Sequence, residues 1–329
     1  MKALNFALAV ILSAPFVAHA ADPEKPTALP DPAKIKPTMY CTGFAFAEGP
    51  AIDRDGNLYV VNYREWGTIG KITPDGAASI LINLRKELPA DGDRLPSCNG
   101  LKIDDDGNII GAETGTSQVI RVAKDGKKVE VLAREVDGVR LNGLNDVALD
   151  PKGNIYFANP GQHNVYRIDR NGSIDRLNPE PIGSNGIGVT PDGRHLVTAD
   201  SDGMRLMILD LDDAKGKNQR ELISFKPAGT PEKLGGEEKQ KLMDRVGVPD
   251  GFVFDEFGRL YLGMWTGKVV HVIEVPSGKL LATYQAGGSQ ATNVHFHNGD
   301  LYVTVAAHEA VYKLPLGIRG WRYSKGCGY

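Results

Sequence analysis

A repeated order of polar and apolar positions runs through most of the chain. Each unit starts with a polar residue and a small one, continues as a short apolar strand, turns at an Asp-rich segment with Gly, and returns as a second strand. The first polar positions of successive units lie 51, 46, 40, 65 and 43 residues apart. This spacing predicts an all-β, six-bladed β-propeller with four-stranded antiparallel blades. The six opening pairs are Glu48-Gly49, Asn99-Gly100, Asn145-Asp146, Asn185-Gly186, Asp250-Gly251 and Asn293-Val294.

The outer strands of each unit are marked by two-residue turns. Asp75-Gly76, Asp125-Gly126 and Asn171-Gly172 separate alternating strands, and such dipeptides fit the twist of antiparallel hairpins. The last unit supplies only three strands, because nothing strand-like follows residues 310–316. We therefore predict that its outer strand comes from the N-terminal side, near residues 39–44, and closes the ring.

The 65-residue interval is the longest between two units. It contains residues 227–248, of which 237–245 could form a short helix. Long loops in compact domains are often functional or mobile. We interpret this segment as a long loop over one face of the propeller, and a lid is one role that it could have.

The N-terminus has the pattern of a secretory signal. Lys2 precedes an apolar run over residues 4–17, which ends in Ala18-His19-Ala20. A membrane anchor would need roughly 20 apolar residues, and this run is shorter. We predict a cleaved signal over 1–20, a Pro-rich extended tail over 21–37 and the propeller over 38–329. The mature protein is then expected to be periplasmic or secreted.

Charge and composition narrow the class of partner. The formal net charge of −3 does not suit a nucleic-acid-binding protein. After the signal, no apolar run is long enough to cross a bilayer, so we expect no membrane attachment. A small-molecule substrate is the expected partner, and the oligomeric state stays open.

The six aligned polar positions predict a ring of oxygen ligands. The first strand of each blade lines the central channel, so equivalent positions lie at one level around the axis. Asn or Asp before Gly can also simply form turns, but Glu48 is a poor turn residue. Two carboxylates with several amides indicate a hard cation, Ca²⁺ before Mg²⁺ or Zn²⁺, with Mn²⁺ also open. The ring consists of Glu48, Asn99, Asn145, Asn185, Asp250 and Asn293.

Four segments of the chain resemble the signature segments of a known family. They are residues 46–50 (FAEGP), 140–146 (RLNGLND), 184–187 (SNGI) and 249–252 (PDGF). Over about residues 40–318 the chain resembles the senescence-marker-protein (regucalcin), gluconolactonase and luciferin-regenerating-enzyme family. Paraoxonases and diisopropylfluorophosphatase are similar more distantly.

The resemblance implies a six-bladed propeller hydrolase with one catalytic divalent metal in the channel. The metal ligands that it implies are Glu48, Asn185 and Asp250, with Asn145 as a further ligand or a substrate contact. Some members carry a substrate-binding Arg where this chain has Gly143, so specificity for sugar lactones is not implied. The remaining candidates for the channel or the substrate site are Asn99, Arg140, Asn293 and His295.

The expected activity is that of a Ca²⁺-dependent lactonase or esterase. In it, Asp250 orients and deprotonates a water molecule while Asn145 holds the substrate oxygen. Two alternatives stay open: a phosphotriesterase with Asp250 as nucleophile, and a non-catalytic binding propeller with a structural metal. His295 could face down the channel or be a hydrogen-bonded structural histidine.

The three cysteines do not have the spacing of a zinc site. In an oxidising compartment, one disulfide and one free thiol are expected. Because the closing strand contains Cys41 and would lie beside the chain that leaves Leu316, we predict a Cys41–Cys327 disulfide. Paraoxonases are similar in joining their chain ends. Cys98 would remain a free thiol near the channel.

Overall fold

The structure is a computed structural model that describes residues 27–212, 218–231 and 234–329. The predicted signal over 1–20 and the start of the tail over 21–37 lie outside these residues. Within the described ranges, no helix has both the length and the apolar character needed to cross a membrane.

Six four-stranded antiparallel sheets form the six predicted blades, which confirms the fold. The first half of the chain contains β1 (Thr38–Thr42), β2 (Ala51–Ile52), β3 (Leu58–Val61), β4 (Thr68–Ile72), β5 (Ala78–Asn83), α1 (Leu84–Glu87), β6 (Cys98–Ile103), β7 (Ile109–Glu113), β8 (Gln118–Val122), β9 (Val129–Ala133), β10 (Glu135–Val136), β11 (Val139–Arg140), β12 (Val147–Leu149), β13 (Ile155–Asn159), β14 (Asn164–Ile168) and β15 (Ile174–Arg176). The second half contains β16 (Ser184–Val189), β17 (His195–Asp200), β18 (Arg205–Asp210), β19 (Arg220–Ser224), α2 (Gly236–Val246), β20 (Pro249–Phe254), β21 (Leu260–Met264), β22 (Val269–Ile273), β23 (Leu280–Gln285), β24 (Ala291–His297), β25 (Asp300–Val305) and β26 (Ala310–Pro315).

Blades 1 to 5 are each built from four strands in chain order, beginning at β2, β6, β12, β16 and β20. Blade 6 contains β24, β25 and β26, and its outer strand is β1. The pairing of β1 with β26 is antiparallel, with Met39 opposite Tyr312. The predicted closure of the ring by an N-terminal strand is therefore confirmed. The small hairpin of β10 and β11 lies outside the blades.

The small residue in the repeated pair is required by the close approach of neighbouring blades. A Cβ atom on Gly49 would lie 2.1 Å from the backbone oxygen of Asn99, and one on Gly186 would lie 2.3 Å from that of Asp250. Real Cβ atoms do not approach other atoms so closely, so only glycine fits there. The pattern read from the sequence thus reflects crowding at the start of the inner strands.

The Asp-rich turns at the other end of the inner strands are satisfied internally. The carboxylate of Asp53 accepts hydrogen bonds from the backbone N–H groups of Asp55 and Asn57 and from the hydroxyl of Tyr59, which lies 2.9 Å away. The carboxylate of Asp150 is bound in the same way in blade 3. Each turn thereby gives a buried tyrosine hydroxyl the partner that it needs.

The described part of the Pro-rich segment packs against blade 5. The hydroxyl of Tyr284 donates to the carbonyl oxygen of Pro30 at 2.9 Å, and Arg259 donates to that of Thr27 at 2.7 Å. Ile35 is buried in the core of blades 5 and 6. Residues 27–37 therefore follow the propeller surface, whereas the sequence led us to expect a tail outside the fold.

The helix α2 lies in the long insertion, where the sequence predicts a helix. Its Leu242 is buried, and the backbone oxygen of Met243 accepts a hydrogen bond from the Thr266 hydroxyl in the β21–β22 loop. The helix is therefore attached to blade 5. Its role as a lid stays a prediction.

The C-terminal residues 318–329 cross the end of the channel where the inner strands finish. Trp321 packs against three separate core clusters, and Tyr323 is 4% exposed. The segment binds blades 5, 2, 1 and 6 in turn, so it closes this end of the channel. The bonds are Trp321 N–H to Phe254 O (3.0 Å), Ser324 Oγ to Ile103 O (2.7 Å), Arg54 N–H to Gly326 O (2.9 Å) and Asn298 N–H to Tyr329 O (3.2 Å).

The predicted Cys41–Cys327 disulfide is wrong, because all three cysteines are free. Cys41 lies on β1, the outermost strand of blade 6, whereas Cys327 pairs with Asp53 at the end of the inner strand of blade 1. Burial of Tyr323 and Trp321 draws the C-terminal segment toward the axis and away from the outer rim. Cys98 is also free, and it is buried.

We expect the C-terminal segment to contribute measurably to stability. Tyr323→Ala should lower the free energy of unfolding by about 3–5 kcal/mol, the usual cost of truncating a buried aromatic side chain. Tyr329→Ala removes an aromatic ring that is 41% exposed from the same segment, and should cost less than about 1 kcal/mol. Urea unfolding of both variants measures the difference, and equal effects would contradict the contribution of the buried C-terminal segment to stability.

Candidate active site

A cavity of about 260 Å³ lies where the inner strands begin. It brings together five of the six aligned polar positions, which come from five different blades. Its walls are completed by apolar and aromatic side chains and one hydroxyl. The lining residues are Phe46, Glu48, Asn99, Asn145, Asn185, Ser201, Val248, Asp250 and Trp265.

Irregular strand pairing accompanies four of the six aligned polar residues. In blades 2, 4, 5 and 6 the register between the first two strands shifts at the polar-small pair, for example between Pro249 and Phe252 in blade 5. Such bulges redirect a side chain and are common beside functional sites. The repeat therefore encodes both the blade and the inward direction of its polar residue.

The sixth aligned residue lies beneath the cavity and does not line it. The amide nitrogen of Asn293 donates to Asp146 at 3.2 Å, and its amide oxygen accepts from the N–H group of Val294 at 2.8 Å. Asn293 is therefore held by neighbouring protein groups and is absent from the cavity lining. We conclude that its structural place differs from that of the other five.

His295 and Arg140 are also outside the cavity lining. His295 is buried lower in the channel, with its ring centroid 6.1 Å from that of Tyr323. Burial lowers its pKa to about 3, so this imidazole is neutral. Arg140 is exposed on β11 and pairs with Asp91 at 3.1 Å.

Asp146 and Lys102 form a buried charged pair that the repeat analysis did not assign to the site. Oδ1 of Asp146 lies 3.9 Å from Nζ of Lys102 and accepts the N–H of Val147 at 2.8 Å. Burial raises the pKa of Asp146. The sequence contained a sign of this pair. At the second position of the repeat four copies have glycine, and only this copy has a charged residue.

The carboxylates of the cavity lie in an environment that disfavours their charge. Burial raises the pKa of Glu48 to about 8, and the nearby charge of Asp146 adds to the shift. Burial also raises the pKa of Asp250 well above its usual value, with further contributions from Glu48 and Asp146. Because three buried carboxyl groups face the single ammonium of Lys102, the empty site favours their protonated forms, and their ionised forms would need additional positive charge.

The donor set suits a hard divalent cation. No group of three His, Cys, Asp or Glu side chains placed to share an ion is found among the described residues. The cavity instead combines the carboxylates of Glu48 and Asp250 with amide side chains. The buried amide oxygen of Asn99 has no hydrogen-bond partner in the described chain. A buried polar atom without a partner indicates a place for a bound group. Ca²⁺ prefers sites in which all ligands are oxygen atoms.

Comparison with known proteins identifies the family to which the chain belongs. The family model described as "SMP-30/Gluconolactonase/LRE-like region" matches residues 46–307, which is more than half of the chain. No curated protein matched the sequence at a significant level.

Several solved structures share the fold at low sequence identity. A gluconolactonase from Xanthomonas campestris is 21% identical, with a TM-score of 0.69 over 87% of this chain and 91% of that one. A luciferin-regenerating enzyme is also 21% identical, with a TM-score of 0.67 over 89% and 99% of the two chains. A calcium-binding regucalcin from Agrobacterium tumefaciens is 18% identical, with a TM-score of 0.66 over 88% and 98%. At these identities the likeness shows the fold alone.

The raised pKa values predict how stability depends on pH when a chelator removes divalent cations. The folded protein holds protons on these carboxylates at pH values where the unfolded chain has released them. Its free energy of unfolding should therefore fall as the pH rises from about 4.5 toward about 8. Urea unfolding in chelator across this range measures the slope.

Matched variants assign that slope to the cavity. Glu48→Gln should flatten it, because the amide does not titrate, while Glu87→Gln on the exposed surface of α1 should keep it unchanged. A slope that is identical in the wild type and in Glu48→Gln would show that Glu48 does not hold a proton in the folded state.

Proposed function

Because the chain belongs to the SMP-30/gluconolactonase/LRE-like family, we propose that it is a metal-dependent hydrolase that opens a lactone or a similar small ester. The observation that carries the proposal is the cavity itself. It joins the carboxyl groups of Glu48 and Asp250, whose ionised forms need a positive partner, with three amide side chains. The gluconolactonase among the similar structures supports the reaction class.

We propose Ca²⁺ as the cation, held by Glu48, Asn185 and Asp250, with Asn145 as a further ligand or a substrate contact. The oxygen donors support this choice, and so does the similar regucalcin that is described as calcium-binding. When bound, the cation supplies Lewis-acid polarisation of a carbonyl oxygen and positive charge that keeps Asp250 ionised.

In the proposed reaction, Asp250 orients a water molecule and accepts one of its protons. The water oxygen bonds to the carbonyl carbon, the ring C–O bond breaks, and the leaving oxygen takes up a proton to give a hydroxy acid. The amide of Asn145 holds the substrate oxygen. Since residues 318–329 close the other end of the channel, substrate and water enter from the cavity side.

We also propose that the protein is exported to the periplasm or secreted, on the basis of residues 1–20. Mass spectrometry of the protein recovered from its native compartment should show a mature N-terminus at Ala21. An intact Met1 in that material would refute the export.

Asp250→Asn should abolish hydrolysis while leaving the fold intact. The amide keeps an oxygen at the same place but cannot accept the proton of water, and loss of a positioned base costs about 10²–10⁴-fold in rate. The measurement is kcat/KM for a panel of lactones, read by proton release with Ca²⁺ present. Full activity in this variant would exclude Asp250 as the base.

A control variant and an isotope experiment sharpen this prediction. Asp55→Asn changes an exposed carboxylate at the opposite end of blade 1 and should retain activity. A single turnover in ¹⁸O-water should place the label in the product and not in Asp250. Label in Asp250 would favour the nucleophilic mechanism of the phosphotriesterase alternative.

Glu48→Gln should weaken calcium affinity before it affects folding. It removes one of two anionic ligands from a hard cation, and we expect a loss of at least about tenfold, or about 1.4 kcal/mol. Calorimetric titration with Ca²⁺ measures the effect, with Glu87→Gln as the matched surface control. An unchanged affinity would place Glu48 outside the ligand set.

A further inference from the structure

Three aromatic rings form a continuous wall on one side of the cavity. Phe46 and Trp265 line the cavity, and their ring centroids are 5.7 Å apart with planes inclined by 34°. Trp66 stacks on Phe46, with centroids 5.6 Å apart and an interplanar angle of 26°. We call these three residues the aromatic wall.

The aromatic wall is held by backbone hydrogen bonds from several blades. The side-chain amide of Asn62 in blade 1 donates to the carbonyl oxygen of Phe46 at 3.1 Å. The backbone N–H of Trp265 donates to the carbonyl oxygen of Val248 at 2.8 Å, and the carbonyl oxygen of Trp265 accepts from the backbone N–H of Gln290 at 2.6 Å. The rings are thus attached to the ordered scaffold, so they offer a binding surface that is largely formed in advance.

The wall adjoins the polar floor of the cavity directly. Phe46 precedes Glu48 by two residues, and both line the same cavity. Trp66 is 47% exposed, so the wall extends from the cavity to the surface. A ligand whose carbonyl oxygen lies near Glu48 and Asp250 would therefore have its remaining atoms beside aromatic rings.

The cavity offers no positive side chain to a substrate. Its lining contains Glu48 and Asp250 as the charged residues, with no Lys, Arg or His among the described residues that form it. Lys102 lies beneath it against Asp146, and Arg140 is exposed and paired with Asp91. A carboxylate or phosphate on the substrate would find no cationic side chain to pair with in this lining.

We infer that the substrate is a neutral lactone or ester with a flat, apolar portion, such as an aromatic ring fused to the ester. This inference rests on the proposed hydrolase function and names its substrate class. Stacking on the wall favours a flat ring. The hydroxyls of a polyol lose hydrogen bonds to water without regaining them on the aromatic side. The cavity volume is below the usual range for drug-sized ligands and suits one or two rings.

Two lactones of opposite character test the inference. We compare 3,4-dihydrocoumarin, a neutral lactone fused to a benzene ring, with D-glucono-1,5-lactone, by proton release in the presence of Ca²⁺. The wild-type protein should prefer the aromatic lactone by at least about tenfold in kcat/KM. Equal efficiency, or a preference for gluconolactone, would overturn the inference and leave the hydrolase proposal standing.

Variants of the wall separate binding from chemistry. Trp265→Ala should raise KM for dihydrocoumarin at least about fivefold more than KM for gluconolactone, with kcat for dihydrocoumarin changed less than KM. Trp265→Phe keeps a ring at this place and should restore most of the KM. Equal effects of Trp265→Ala on both lactones would indicate a structural role and overturn the inference.

If neither lactone is hydrolysed, a binding measurement still tests the substrate class. In Asp250→Asn, dihydrocoumarin should quench tryptophan fluorescence at saturating Ca²⁺, and gluconolactone should not. The quenching should fall when Trp265→Ala is added, to the part contributed by Trp66, while the partly buried Trp321 at the other end of the channel serves as an internal reference. Quenching without hydrolysis in the wild type would refute the hydrolase proposal alone, whereas absence of quenching would refute the aromatic substrate class.

Discussion

Six inner strands run to one axis, and where they begin their backbones nearly touch. A side chain at Gly49 or Gly186 would collide with the backbone of the next blade, so the chain alternates a polar residue with glycine at this level. The bulges there turn Asn99, Asn185 and Asp250 inward. Crowding at the axis thus determines the repeat, the blade contacts and the composition of the cavity together, because each polar side chain can point only into the channel.

The same crowding concentrates charge that is costly to bury. Glu48, Asp146 and Asp250 lie near one another with Lys102 beside Asp146, and burial raises the pKa of each carboxyl group, with repulsion between carboxylates adding to the shift for Glu48 and Asp250. Such an arrangement lowers the stability of the empty fold at neutral pH, and a fold that retains it is expected to recover the energy by binding a cation. Stability and function are therefore linked at the same side chains.

The two ends of the channel are built differently. At one end, residues 318–329 bury Tyr323 and close the channel, while at the other the cavity lies between a polar floor and the aromatic wall. The candidate site therefore opens on one face of the propeller only. The closure of this chain relies on the strand pairing of β1 with β26 and on the packing of the C-terminal segment, and it uses no covalent link between Cys41 and Cys327.

The sequence by itself determined the blades, the closure by an N-terminal strand near residues 39–44, and a ring of six polar residues of which five line the cavity. These features recur in each copy of the repeat, because every blade needs the same turns, the same strands and the same close approach to the axis. Only the tertiary structure decided that Asn293 bonds to Asp146 and does not line the cavity, that residues 318–329 run beneath the axis, and that Phe46, Trp66 and Trp265 meet. Those contacts join distant segments that each occur once in the chain, so the repeat pattern could not predict them.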